Sequence, residues 1–271
     1  MGNHKQIQQN KQAVTDYWQK HGLHSLDGDA YQVRWNREIY TSNWMSIIQA
    51  CIEYGELGGN KRLLDVGCGG GFFLKSMEDT YSEVIGVEIS TSHAEFAQKT
   101  MMLDVLNGTI QTVKFPEDYF DTITLWDVIE HVVDPHATLN EARRILKKGG
   151  LIAVSTPNVN GITASLIKET WLYYTPPQHL YFFNPKALST LFKESGFIIK
   201  RIRTRNIYFN NIIQSFKYRR RLTPGAQRTS IANVSSKIER NKMLTLIARL
   251  VNLLVYQSGW GDILLAYGLK L

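Results

Sequence analysis

The stretch Arg62–Phe73 reads RLLDVGCGGGFF and decides the fold of the chain around it. An apolar run, Leu63-Leu64 and then Val66, ends in four glycines among five residues, Gly67, Gly69, Gly70 and Gly71. Phe72, Phe73, Leu74 and Met77 follow at once. This grammar predicts a buried strand, a tight turn and a helix. The glycines let the backbone take positive φ and let a ligand lie on main-chain N–H groups, with a helix N-terminus behind them.

Two ligand classes use such a turn. The dinucleotide fingerprint G-x-G-x-x-G needs a small residue at its last position, so that helix and strand pack closely. Counting from Gly67 places Phe72 there, which excludes it. What stands instead is Asp65-x-Gly67-x-Gly69, with a second acid, Glu88, 21 residues after Gly67. A carboxylate at the end of a second strand can accept both hydroxyls of a ribose. Asp65 falls where a cationic amino group, or a water bridging to it, could be held.

Working outward, strands and helices alternate. Strands are predicted at Arg62–Val66, Val84–Glu88, Leu103–Leu106, Phe120–Trp126, Leu151–Ser155, Phe197–Thr204 and Asp262–Leu269. Helices are predicted at Phe72–Thr80, Ser92–Met101, Pro135–Leu146 and Pro185–Ser195, with Gly149-Gly150 and Gly196 as C-terminal stops. The expected architecture is α/β: a doubly wound, seven-stranded, mostly parallel sheet. Residues 61–206 and 260–271 make its core. Residues 1–60, with Tyr17, Trp18, Tyr31, Trp35, Tyr40, Trp44 and Tyr54, read as an N-terminal helical segment that either packs on that core or forms a lid. Residues 157–184 form a long aromatic loop after the fifth strand, where substrates meet such folds. Residues 207–259 are a helical insertion before the last strand.

Apolar content of 44% and charged content of 20% are those of an ordinary globular chain, and 271 residues suffice for one large domain. Cys51 and Cys68 form no C-x-x-C pattern, so neither a disulfide framework nor a zinc cluster is expected. The polar N-terminus lacks an apolar signal core, and Arg249 and Asn252 interrupt the longest apolar run. A cytoplasmic protein, soluble or peripheral to a membrane, is expected. The net charge of +7 is local: Lys200 to Arg249 holds thirteen Lys/Arg and a single acid, Glu239. No nucleic-acid signature accompanies these cations, and no nucleic-acid partner is expected. The apolar helix Met243–Tyr256 beside them suits either core packing or contact with an anionic membrane surface.

Residues Arg62 to Gly196 resemble the class I S-adenosylmethionine-dependent methyltransferases with their Rossmann-like fold, in the branch of the ubiquinone-biosynthesis O-methyltransferases. The motifs are LLDVGCGGG, VIGVEIS (Val84 to Ser90), NGTI (Asn107 to Ile110), FDTITLWDVIEHVVDP (Phe120 to Pro135) and ILKKGGLIAVSTPN (Ile145 to Asn158). The resemblance implies S-adenosyl-L-methionine as cofactor, with Gly67 and Gly69 against its methionine end and Glu88 on the ribose. It puts Thr109 and Ile110 at the adenine, where many members carry Asp at the Thr109 position. Trp126 and Asp127 border the sulfonium, and Arg34 meets the cofactor carboxylate. Ubiquinone-type members also place acid-x-x-Glu-His on a divalent ion, here Asp127, Glu130 and His131; no metal is predicted on that spacing.

Methyl transfer from a sulfonium is an in-line displacement, so the enzyme aligns an acceptor and, for a hydroxyl, takes its proton. Histidine suits that task. Of seven histidines, His131 at the end of the fourth strand and His179 in the aromatic loop are the candidates. His131 reads as a catalytic base, a metal ligand or a fastener of its own loop; His179 reads as substrate-facing or as packing. Trp171, Tyr173, His179 and Tyr181 are the candidate acceptor contacts. O-methylation of a hydroxylated small molecule is the expected activity. A lipid-linked or membrane-delivered acceptor, nucleic-acid methylation and a non-catalytic cofactor-binding module are the alternatives.

Overall fold

In a computed structural model that describes residues 60–171, 173–205, 207 and 258–271, the predicted alternation becomes one seven-stranded sheet. Its strands are β1 (Arg62–Val66), β2 (Glu83–Glu88), β3 (Asp104–Asn107), β4 (Phe120–Trp126), β5 (Leu146–Pro157), β6 (Phe197–Arg205) and β7 (Ile263–Lys270). They lie in the order β3-β2-β1-β4-β5-β7-β6. The first five pair in parallel, and β7 runs antiparallel between β5 and β6. The described helices are α1 (Phe72–Met77), α2 (Thr91–Lys99), α3 (Ile110–Val113), α4 (Pro135–Ile145), α5 (Ile162–Ile167) and α6 (Pro185–Glu194).

Successive strand residues point to opposite faces, so a strand buried on both must be apolar throughout. Leu63 and Leu64 are both fully buried, each in a different layer. Leu63 packs with Phe73, Leu74 and Met77 of α1 and with Ala94 and Ala97 of α2. Leu64 packs with Leu139, Ala142 and Ile145 of α4 and with Leu188, Leu191 and Phe192 of α6. The two longest helices start on matching signals: Asp134 and Asn184 accept the N–H of Ala137 and Ala187, each followed by a proline. The chain leaves β1 toward β2 and β3, then returns to the other side of β1 as β4. That reversal opens a crevice at the carboxyl ends of β1 and β4.

Several boundaries differ from expectation. The glycines Gly149-Gly150 do not separate helix from strand. Helix α4 stops at Ile145, and β5 begins at Leu146, opposite Phe120, before a register shift carries it past Gly149 at φ 80° to the regular ladder at Leu151. The aromatic loop is not irregular throughout, since it opens with α5 and a 3-10 turn, Lys168–Thr170. Strand β3 is a weak signal because it is the sheet edge, with only Val105 buried. The expected N-terminal helical lid, with Arg34, and the insertion 207–259 fall outside the described residues except for residues 60, 207, 258 and 259. Among the described residues no helix is long and apolar enough to cross a membrane.

Candidate functional site

The glycine loop lies across the end of β2, where Gly67 and Cys68 both donate to the carbonyl of Val87, at 2.7 and 3.2 Å. Gly67 has φ 70°, and a Cβ there would meet Val128 Cγ2 at 2.5 Å. The loop therefore touches the segment after β4 with no room for a side chain. Gly69 has φ 54°, yet a Cβ there would meet nothing within 4 Å. Its side toward that position is open space, which leaves the backbone accessible to close approach.

Glu88 holds that loop. One carboxylate oxygen accepts Gly69 N–H at 2.8 Å and the other accepts Ser90 N–H at 2.7 Å. Burial raises its pKa, and the N–H groups of Ser90, Gly69 and Ile89 pull it back. Its carbonyl accepts Gly108 N–H and Asn107 Nδ2, which draws the NGTI turn to the same edge. Asp65 is 2% exposed and accepts the Thr124 hydroxyl at 2.6 Å from the facing position on β4. Burial pushes its carboxyl up to about 8 against the Thr124 hydrogen bond, and the charge of Glu88 adds to the rise.

The Thr109 hydroxyl is engaged locally. It caps α3 by accepting Thr112 N–H, while Thr112 Oγ1 accepts Thr109 N–H. Ile110 is buried in the core layer under α4. Trp126 stands edge-on to Phe73, with ring centroids 5.5 Å apart, and its buried Nε1 has no hydrogen-bond partner among the described residues. Asp127 has φ 54°, and Ser155 fastens it by donating its hydroxyl to Oδ1 at 2.8 Å.

Beyond Asp127 the β4 end is stitched to the aromatic loop. The Glu130 carbonyl accepts the N–H groups of Leu180 and Tyr181, and Tyr181 donates its hydroxyl to the carbonyl of Val133. His131 Nδ1 lies 2.7 Å from the carbonyl of Gln178. A carbonyl only accepts, so neutral His131 carries its proton on Nδ1 and its lone pair on Nε2. Burial lowers the pKa of His131 against the raising pulls of Gln178 and Asp127. The His179 ring centroid is 4.5 Å from that of His131, and Tyr173 stacks on its other side at 5.9 Å. Burial, then the charge of His131, takes His179 down to about 4, against the backbone of Tyr173. Glu130 is 1% exposed; Thr156 donates to Oε2 at 2.9 Å, and burial followed by the Asp127 charge holds its pKa well above the usual range.

Sequence candidates thus fall into two groups. Asp65, Gly67, Gly69 and Glu88 meet at the β1–β2 end, and His131, His179 and Tyr173 meet over the β4 end. Trp171 is 4% exposed, packed with Ala164 and Ile167 and against Tyr173. Tyr181 commits its hydroxyl to Val133 and stacks on Phe183. Thr124, Ser155, Thr156 and Gln178 orient the site residues and were not singled out by sequence. Hydroxyls inside the apolar runs ITLW and IAVST are the signal that could have found the first three. For a metal, the donor atoms within 4.8 Å of one another are those of Glu130, His131 and His179, with Asp127 outside the group.

Sheet order, glycine loop and ribose-type carboxylate together define a class I S-adenosylmethionine-dependent methyltransferase fold. More particularly, the chain belongs to the methyltransferase domain family, whose model matches residues 36–200. The ubiquinone biosynthesis O-methyltransferase of Cereibacter sphaeroides is 32% identical over 148 residues, 50% of this chain and 59% of that relative. The chain thus spans less than two thirds of the curated relatives it matches. A SAM-dependent methyltransferase from Thermotoga maritima shares the fold with TM-score 0.56 at 21% identity, covering 93% of this chain and 100% of that one. Phosphoethanolamine N-methyltransferase 2 of Haemonchus contortus, solved with S-adenosyl-L-methionine, gives TM-score 0.61 at 15% identity over 95% of this chain and 60% of that one. The open side of Gly69, the Glu88 carboxylate beneath it and the unpartnered Trp126 Nε1 fit that cofactor.

Proposed function

We propose that the protein methylates a hydroxyl group of a small molecule received between the β4 end and the aromatic loop. The observation that supports this reading is the half-buried His131–His179 pair at the β4 end, with ring centroids 4.5 Å apart. The names of the ubiquinone-type relatives favour oxygen as the acceptor atom. Bound at the glycine loop, S-adenosyl-L-methionine supplies a methyl group already activated by its sulfonium. Glu88 takes the ribose hydroxyls, Gly67 and Gly69 admit the methionine end, and Asp65 meets its ammonium group directly or through water. Thr109 lines the adenine end through its main chain and methyl group with Ile110 packed behind it, and Trp126 and Asp127 border the sulfonium. Gln178 fixes the His131 tautomer, which aims the Nε2 lone pair at the acceptor side. Tyr173, with His179 and Trp171, supplies the aromatic wall.

Calorimetric binding of S-adenosyl-L-methionine, followed by detection of S-adenosyl-L-homocysteine across hydroxylated acceptors, tests the reading. Turnover should fall about 100-fold or more in His131→Ala, in line with loss of a general base. Full turnover in both His131→Ala and His179→Ala, with cofactor affinity unchanged, removes proton transfer from the mechanism. The cation-rich stretch Lys200 to Arg249 favours a second reading, an acceptor delivered from an anionic membrane. Failure to bind anionic vesicles at low salt would dismiss it.

A further inference from the structure

Trp260 is 64% exposed, and the chain on either side of it is held in place. Its carbonyl accepts Ile162 N–H at 2.8 Å, and Asn158 Nδ2 donates to the carbonyls of Gly259 and Gly261 at 3.1 and 2.7 Å. Gly261 lies against the end of β6, where a Cβ would come within 2.7 Å of Arg205 N. The tip cannot move inward without breaking this set, so the indole is presented outward by its backbone. A lone exposed apolar side chain is ordinary. Leu166, however, is 55% exposed and stands one turn beyond Ile162 on α5, on the same helix face as the residue to which Trp260 is fastened. We infer that Trp260 and Leu166 form the contact surface of this protein for an anionic lipid bilayer.

Charge selects that occupant over an apolar protein partner. The tip adjoins Arg205, and the run Lys200 to Arg249, which begins on β6, carries thirteen cations against Glu239 alone. An indole settles at the boundary between headgroups and acyl chains, where its apolar body and polar N–H are both accommodated. One shallow anchor holds weakly and reversibly; firm attachment takes a second signal, which basic residues near an anionic surface supply. Position gives the contact a consequence. The bonds that pin Trp260 run to Asn158 and Ile162 at the root of the aromatic loop, and Asp262, two residues on, accepts both the N–H and the hydroxyl of Thr163. Lipid contact at the tip thus bears directly on the segment that leads to Trp171, Tyr173 and His179. The inference deepens the reading of a membrane-delivered acceptor and rests on it, naming the side chains that make the contact.

The test is co-sedimentation of the full chain with vesicles of phosphatidylglycerol and phosphatidylcholine in equal parts, and with phosphatidylcholine alone. Binding is expected to the first only, and to fall as salt rises. Trp260→Ala and Leu166→Gln should each weaken it about fivefold or more. Met102→Gln, 76% exposed before the opposite edge strand β3, should stay within about twofold. Undiminished S-adenosyl-L-homocysteine binding certifies the fold of each variant. Anionic vesicles should also shift wild-type tryptophan emission to the blue, and Trp260→Phe should lose that shift. Unchanged binding by Trp260→Ala, equal weakening by Met102→Gln, or an undiminished blue shift in Trp260→Phe overturns the inference and leaves membrane delivery standing. Equal binding to phosphatidylcholine alone removes charge as the selector and overturns it too. A wild-type dimer that Trp260→Ala turns into a monomer reassigns the surface to a second copy of the chain. Absence of any vesicle binding takes the membrane reading down as well, while turnover of soluble hydroxylated acceptors decides O-methylation separately.

Discussion

Replacing Asp65 by asparagine should remove a pH-dependent weakness of the ligand-free protein. Asp65 is 2% exposed at the end of β1, and its carboxyl is pushed from an ordinary value of 3.8 to about 8, chiefly by burial. Between those two values the folded protein keeps a proton that the unfolded chain releases. Stability then falls as pH rises, by about 1.4 kcal/mol for each pH unit while the difference is a full proton. The contribution is complete below about pH 4 and is lost as pH climbs through about 8. Asparagine has nothing to ionise, and its amide oxygen can still accept the Thr124 hydroxyl. The stability of Asp65→Asn minus that of the wild type should therefore grow by about 2.7 kcal/mol between pH 5 and pH 7. Urea denaturation of both ligand-free proteins at pH 5, 6 and 7 measures it, because histidine titrations common to both cancel in the difference. A difference that stays flat across that range refutes the reasoning.

Cofactor binding should show the opposite slope, since a cationic methionine end favours ionised Asp65: wild-type affinity rises from pH 6 to 8, and calorimetry of Asp65→Asn should find weaker, pH-independent binding. Gly67→Ala and Gly69→Ala should part company. The first forces a Cβ to 2.5 Å from Val128 Cγ2 as well as into positive φ, and should lose about 2–4 kcal/mol of stability by denaturation. The second pays only the backbone term of about 1–2 kcal/mol but fills the cradle, so its cofactor affinity should drop tenfold or more. Asp262→Ala should cost about 2–4 kcal/mol in a urea titration, because buried Asp262 accepts both the N–H and the hydroxyl of Thr163 at the start of α5.

What could be read from sequence was what short-range chemistry controls. The glycine turn, the two-faced burial of Leu63 and Leu64, and the Asp-Pro and Asn-Pro helix starts are each written within a few residues. Helix α5 escaped because Gly161 gives it no side-chain cap. The start of β5 at Leu146 escaped because it depends on pairing with Phe120, 26 residues away. The site was harder, since its decisive contacts join distant segments. Thr124 reaches Asp65 across 59 residues of sequence, and Gln178 reaches His131 across 47. The capping role of the Thr109 hydroxyl, which accepts Thr112 N–H at the start of α3, was likewise not read from the sequence.

The group Asp127, Glu130 and His131 shows the limit most sharply. Acid-x-x-Glu-His spacing lines up three side chains only where residues 127 to 131 are helical, because positions three and four apart share a face only there. Here Asp127 is a bend at φ 54°, and residues 129–131 form a turn closed by His131 N–H on the carbonyl of Val128. The turn sends Asp127 to Ser155 and leaves Glu130 and His131 facing the aromatic loop, whose N–H groups on Leu180 and Tyr181 settle on the Glu130 carbonyl. Those two hydrogen bonds fix the register that brings His179 beside His131. Spacing in the chain groups Asp127 with Glu130 and His131; the fold sets His179 beside that pair instead.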